Sequence, residues 1–207
     1  MGAVLLRMKS TIVALFVCFA CASARAEIWQ GALPLEPKQL RLGFFGEIYA
    51  PSSNYSTAVM GFGQFAYGIN DRWQIETRLG LGMVDFYLGV FGKYLIYAQG
   101  ERGEDADTRE LRRGPFAFSA LFGIFRQVFV HVNLMPVASY QLWRFDFFLA
   151  PLIQVDMMTT SPSFAVIPGV NFSISKMVTA VIEGRMNVVN TSSSVSFGIQ
   201  TKLGSDL

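Results

Sequence analysis

The chain has 207 residues, of which 52% are hydrophobic and only 15% charged, against roughly 25% charged in an ordinary soluble domain. So few charges exclude a disordered, highly charged chain, and a formal net charge of +2 gives no basic excess with which to hold nucleic acid. The mixture of 19 Phe with 19 Gly is greasy yet rich in turn-formers.

The first element reads as a cleavable signal peptide over residues 1–26. Arg7 and Lys9 form a basic start, residues 11–22 are apolar, and Ala24-Arg25-Ala26 is a small-residue cleavage site, so the mature chain is expected to begin at Glu27. The apolar stretch is too short for a transmembrane helix. A lipoprotein reading through Cys21 is disfavoured because Cys18 stands where a small aliphatic residue is expected. Cleavage removes Arg7, Lys9 and Arg25 and no acidic residue, leaving 14 basic against 15 acidic residues, a net charge of −1. Cys18 and Cys21 leave too, which excludes a disulfide, a thiolate nucleophile and a cysteine metal site in what remains.

Beyond residue 27 the chain alternates. In the stretch 72–83, Trp73, Ile75, Thr77, Leu79 and Leu81 fall on one face and Arg72, Gln74, Glu76, Arg78 and Gly80 on the other, a period of two that marks a strand with one apolar face. Val178, Ala180, Ile182 and Met186 oppose Thr179, Glu183, Arg185 and Asn187 in the same way, as do Val195, Phe197, Ile199 and Leu203 against Ser196, Gly198, Gln200 and Lys202. Strands are expected at about 39–50, 57–67, 72–83, 86–97, 115–126, 128–141, 144–158, 163–174, 177–188 and 194–203, each long enough to cross a tilted bilayer span. Turn chemistry separates most of them: Pro51-Ser-Ser-Asn54, Gly68-Ile-Asn-Asp71, Thr160-Ser-Pro-Ser163 and Asn190-Thr-Ser-Ser193. The Arg126-Gln127 junction carries the weakest turn signal. Residues 99–114 are dense with charge and lack aromatics, so they read as a solvated loop, at the same end as the N-terminus. Barrels of the outer membrane favour short turns on that periplasmic side.

These patterns point to an all-β fold over residues 27–207: a transmembrane antiparallel up-and-down β-barrel of about ten strands, with about eight to twelve compatible. Closure is how strands satisfy their backbone groups in hydrocarbon. Tyr67 with Trp73, Tyr94 with Tyr97, and Tyr140 with Trp143 flank junctions at one end, and are expected to form an interfacial aromatic girdle. The rivals are a helical membrane protein, with 116–138 drawn as a spanning helix, and a soluble lipocalin-like barrel with its apolar face inward.

The stretch Tyr67-Gly68-Ile69-Asn70-Asp71-Arg72-Trp73 resembles the periplasmic turn of many Gram-negative outer-membrane barrel families. Gly80-Leu-Gly82, Phe86-Tyr-Leu-Gly89 and Lys93-Tyr94 are similar to the following hairpin of small porin-like proteins, including the family associated with phenol-degradation pathways. The likeness covers about 40 residues. It implies export to the bacterial outer membrane, lipid contacts, handling by the barrel assembly machinery, and a narrow passive channel for small solutes. The chain departs from the class at its end, Lys202-Leu-Gly-Ser-Asp-Leu207, which lacks a final aromatic.

Glu76 with Arg78 and Glu183 with Arg185 are Glu-x-Arg pairs, each on one strand face. With Glu47, Lys93 and Asp156 they are expected to face the lumen, either as an ion-paired filling or as a charged constriction. His131 is the only histidine, and Ser119 or Ser139 would be its nucleophile in a lipid-modifying enzyme, but no G-x-S-x-G elbow occurs. No catalytic residue, metal site or cofactor is expected. Gly61-Phe-Gly63 and Gly80-Leu-Gly82 are strand glycines rather than a nucleotide fingerprint. Two function classes remain: a narrow channel, and a non-conducting structural or interaction barrel.

Overall fold

Ten strands alternate in the way the sequence implies: β1 (Leu40–Ala50), β2 (Ala58–Gly68), β3 (Trp73–Gly82), β4 (Phe86–Ala98), β5 (Phe116–Arg126), β6 (Val130–Leu142), β7 (Phe145–Asp156), β8 (Pro162–Ser173), β9 (Val178–Asn187) and β10 (Ser193–Leu203). They are seen in a computed structural model that describes residues 31–50, 58–82, 86–99, 115–126, 130–188 and 193–204. The expected signal peptide lies outside the described residues, as does the charged 99–114 loop apart from Gln99.

Every strand pairs antiparallel with its sequence neighbours, and β1 closes on β10 through an unbroken register from Leu40↔Leu203 to Ala50↔Ser193. The fold is therefore a closed up-and-down barrel. The stretch 116–138, drawn above as an alternative helix, instead runs through β5 into β6. One end carries the entry to β1 and the β2–β3, β4–β5, β6–β7 and β8–β9 connections; it is termed the near end. The other connections lie at the far end.

Alternation decides which way each side chain points. Phe44 (73% exposed), Leu79, Leu81 (71%), Ile182, Phe197 and Ile199 face outward, while Arg41, Phe45, Glu47, Gln64, Glu76, Arg78 and Lys93 are buried inside. An exterior apolar band around a partly polar interior inverts a soluble barrel, which keeps its apolar face within.

The interior is filled by aromatics seated on glycines. A Cβ on Gly80 would lie 2.5 Å from the Phe62 ring, one on Gly123 would lie 2.2 Å from Phe91, and one on Gly198 would lie 2.2 Å from Phe45. Removing three side chains from the wall thus lets three Phe rings reach across it. Phe62, Tyr87, Phe91 and Phe125 are buried, with Tyr87 stacked on Phe125 at 5.0 Å.

The register is interrupted where prolines enter the wall. Between β6 and β7 it runs from His131↔Asp156 to Leu134↔Ile153 and resumes at Ala138↔Leu149, a spacing that sets Pro136 opposite Pro151. Between β8 and β9 it skips from Val166↔Met186 to Gly169↔Glu183, around Pro168. Proline has no N–H to donate to a ladder.

Candidate functional site

The near half of the lumen holds a polar network built from inward positions of six strands. The Glu76 carboxylate accepts from Gln64 Nε2 at 3.2 Å, from Gln74 Nε2 at 3.0 Å and from Arg78 Nη2. Both members of the Glu76–Arg78 pair are fully buried. Gln200 Nε2 donates to Gln64 Oε1 at 3.1 Å, which carries the network across the β1–β10 closure. Arg78 also lies 4.3 Å over the Phe91 ring. Lys93 is buried within electrostatic range of Glu76, Arg41, Arg78 and Asp146.

A segment preceding β1 occupies this half. Ala32 and Leu35 are buried in the core, with Leu33 packed against it. Lys93 Nζ donates to the Gly31 carbonyl at 2.7 Å, the Ala32 amide donates to Ser139 Oγ at 3.1 Å, and the Leu35 amide donates to Gln74 Oε1 at 2.9 Å. Lys38 turns the chain at φ 65°, and its amide donates to the Gly68 carbonyl at 2.8 Å. The incoming chain crosses the rim directly over Gly68, where a Cβ would lie 2.0 Å from the Glu36 carbonyl. The glycine of the Tyr67-Gly68 turn is thus required by this crossing.

In the far half, Arg185 Nη2 donates to Gln154 Oε1 at 3.0 Å, Gln154 Nε2 lies 3.2 Å from His131 Nδ1, and His131 stacks on Phe125 at 4.9 Å. Glu47, Ser196 and Glu183 share one register row across β1, β10 and β9.

Six of the seven expected lumen charges, Glu47, Glu76, Arg78, Lys93, Glu183 and Arg185, are buried inside the barrel. Asp156 stands apart from them. It ends β7 at the far rim, and its Oδ1 accepts from the amides of Met158 and Thr159 in its own turn. Arg41 and Asp146 join the interior group without having been singled out. Arg41 shares the alternation of Phe45 and Glu47, so period two alone would have found it. Asp146 accepts from Asn171 Nδ2 at 3.1 Å. The segment 31–36 has no strand periodicity and left no such signal.

The six aromatics all sit at the near end. Trp73 packs on Tyr94 at 4.7 Å and on Phe122 at 5.9 Å, and Tyr97 meets Phe116 at 6.3 Å. Trp143 is 76% exposed with Arg144 at 5.2 Å over its ring, and Tyr67 and Tyr140 face outward on β2 and β6. Strict alternation would place Tyr97 on the inward face of Lys93. A register shift between Leu95 and Tyr97 turns it outward.

The geometry keeps His131 apart from both candidate serines. His131 lies eight residues from Ser139 along β6, about 27 Å at strand rise, and six from Val137, the partner of Ser119. Among the described residues no group of three or more His, Asp or Glu is placed to hold a metal ion.

No protein-family model and no curated protein sequence matches the chain. Solved structures do. A KdgM porin, in complex with disordered oligogalacturonate, is 9% identical, covering 79% of this chain and 99% of that one at a TM-score of 0.42. The N-terminal β-barrel domain of Pseudomonas aeruginosa OprF is 10% identical, covering 82% and 100% at 0.40. A de novo designed transmembrane β-barrel is 11% identical, covering 83% and 100% at 0.40.

Proposed function

We propose that this protein is an integral barrel of the bacterial outer membrane that stands closed at rest, a structural or interaction barrel rather than an open pore. Membrane insertion is supported by the outward band of Phe, Leu, Ile and Val with aromatics at one rim. Lipids are then its surrounding partner, and the barrel assembly machinery its partner during biogenesis. Between the two function classes, one observation carries the choice. Arg78, Tyr87, Phe91, Lys93, Leu121, Phe125, Met135, Leu152 and Ile167 all point inward from β3 to β8 with under 2% exposure. A water-filled passage would wet at least one side of that ring. Neither Ser119 nor Ser139 stands beside His131 on the strands that carry them.

The test is conductance of refolded protein in a planar bilayer. The expected trace is flat across applied voltages. Reproducible single-channel steps would refute the closed barrel and return the channel reading, including its porin-like resemblance.

A further inference from the structure

We propose that residues 31–36 are a plug seated in a polar chamber at the near end of the lumen, and that the chamber takes small polar solutes bearing hydrogen-bond acceptors when the plug withdraws. The inference rests on the closed-barrel reading above.

The first argument is how the segment is held. Its polar contacts with the wall run from side chain to backbone: Lys93 to the Gly31 carbonyl, Ser139 to the Ala32 amide and Gln74 to the Leu35 amide. Water or a solute can replace each of these singly. The strands around it are joined by backbone ladders of many bonds each, which must break cooperatively. The segment is thus the interior part that can leave without opening the barrel.

The second argument is the mismatch between occupant and wall. The plug supplies apolar bodies, Ala32 and Leu35, to a wall whose inward residues include Arg41, Gln74, Glu76, Lys93, Ser139 and Asp146. Hydrophobic filling against such a wall keeps water out while leaving the wall chemistry suited to a polar guest. Lys93 already shows the recognition: it donates to a carbonyl oxygen that belongs to no strand. Deeper in, Phe45, Phe62, Phe91 and Phe125 close the chamber from behind, so it is a dead-ended site and not a passage.

The third argument is the seat itself. Gly68 leaves a notch in the rim under the Glu36 carbonyl, and Gly31 lies so close to the Asp146 carboxylate that a Cβ would be 1.9 Å from its Oδ2. Two residues without side chains thus stand where the segment crosses the rim and where it reaches the wall.

The chain from Glu27 holds no cysteine, so Ser119→Cys provides a single buried thiol on an inward position of β5. A small, membrane-impermeant cationic methanethiosulfonate is the probe. The thiol is expected to react at least tenfold faster when residues 31–36 are deleted than in the otherwise intact chain. Equal rates, fast or slow, overturn the plug. A heat-dependent gel shift establishes that the deletion variant closes its barrel. If it does not close, the pair Ala32→Cys and Ser139→Cys in the full chain decides: spontaneous disulfide formation upholds the seating, and its absence overturns it. Fast thiol reaction in the intact chain with a flat bilayer trace removes the plug alone, whereas conductance steps remove the closed-barrel reading beneath it.

Discussion

Deleting the Glu76 carboxylate tests whether the lumen is dry. In a Glu76→Ala variant, Arg78 keeps its charge in a fully buried position while Gln64 and Gln74 each lose the acceptor that now receives their Nε2. Breaking one partner out of a buried ion pair costs about 3–5 kcal/mol in a desolvated interior. At about 1.4 kcal/mol per decade, that lowers the folding equilibrium by two to four orders of magnitude. Replacing both members, Glu76→Met with Arg78→Met, removes the uncompensated charge and is expected to cost less than Glu76→Ala alone. The assay is guanidinium unfolding of the refolded barrel in vesicles, followed by the fluorescence of its tryptophans, Trp29, Trp73 and Trp143. A Glu76→Ala loss below about 1 kcal/mol, the range of exposed pairs, would show that water screens Arg78. It would refute both the dry lumen and the reason for calling the barrel closed.

Two further outcomes follow from the wall. Gly123→Ala drives a methyl into the Phe91 ring and to within 2.6 Å of the Val90 carbonyl, so it is expected to destabilise by about 1–3 kcal/mol, whereas Gly63→Ala meets nothing within 4 Å and is expected to stay within about 0.5 kcal/mol of the parent in the same unfolding assay. Ile182→Arg places a charge near the middle of β9 on the outward face, and in vesicles it is expected to cost about 2–4 kcal/mol. An unchanged midpoint there would mean that the band does not face hydrocarbon.

The barrel was legible because period two is a local signal. Trp73 to Leu81 states its two faces without reference to any other strand, and the ten expected spans differ from the observed strands by at most two residues at any end. The lumen charges were read from the same alternation, and Arg41, inside the expected 39–50 strand and in phase with Phe45 and Glu47, shares it. What sequence could not show depends on contacts between distant segments. The exposure of Tyr97 needs a register shift in β4 that no composition announces. The identity of residue 68 as glycine looks like ordinary turn chemistry until the chain from Glu36 is seen passing over it. The segment 31–36 is short and aperiodic, and its burial exists only because a closed wall surrounds it.

The prolines of β6, β7 and β8 give that wall a direction. Pro136 and Pro151 face each other across a stretch of missing register, and Pro168 marks a second one strand further on. The ladders at β1–β10 and β7–β8 run unbroken. Lateral pressure from the bilayer is therefore expected to meet a hoop that yields most readily across β6 to β9. The cross-section is expected to flatten most easily there, away from the seam where the first and last strands meet.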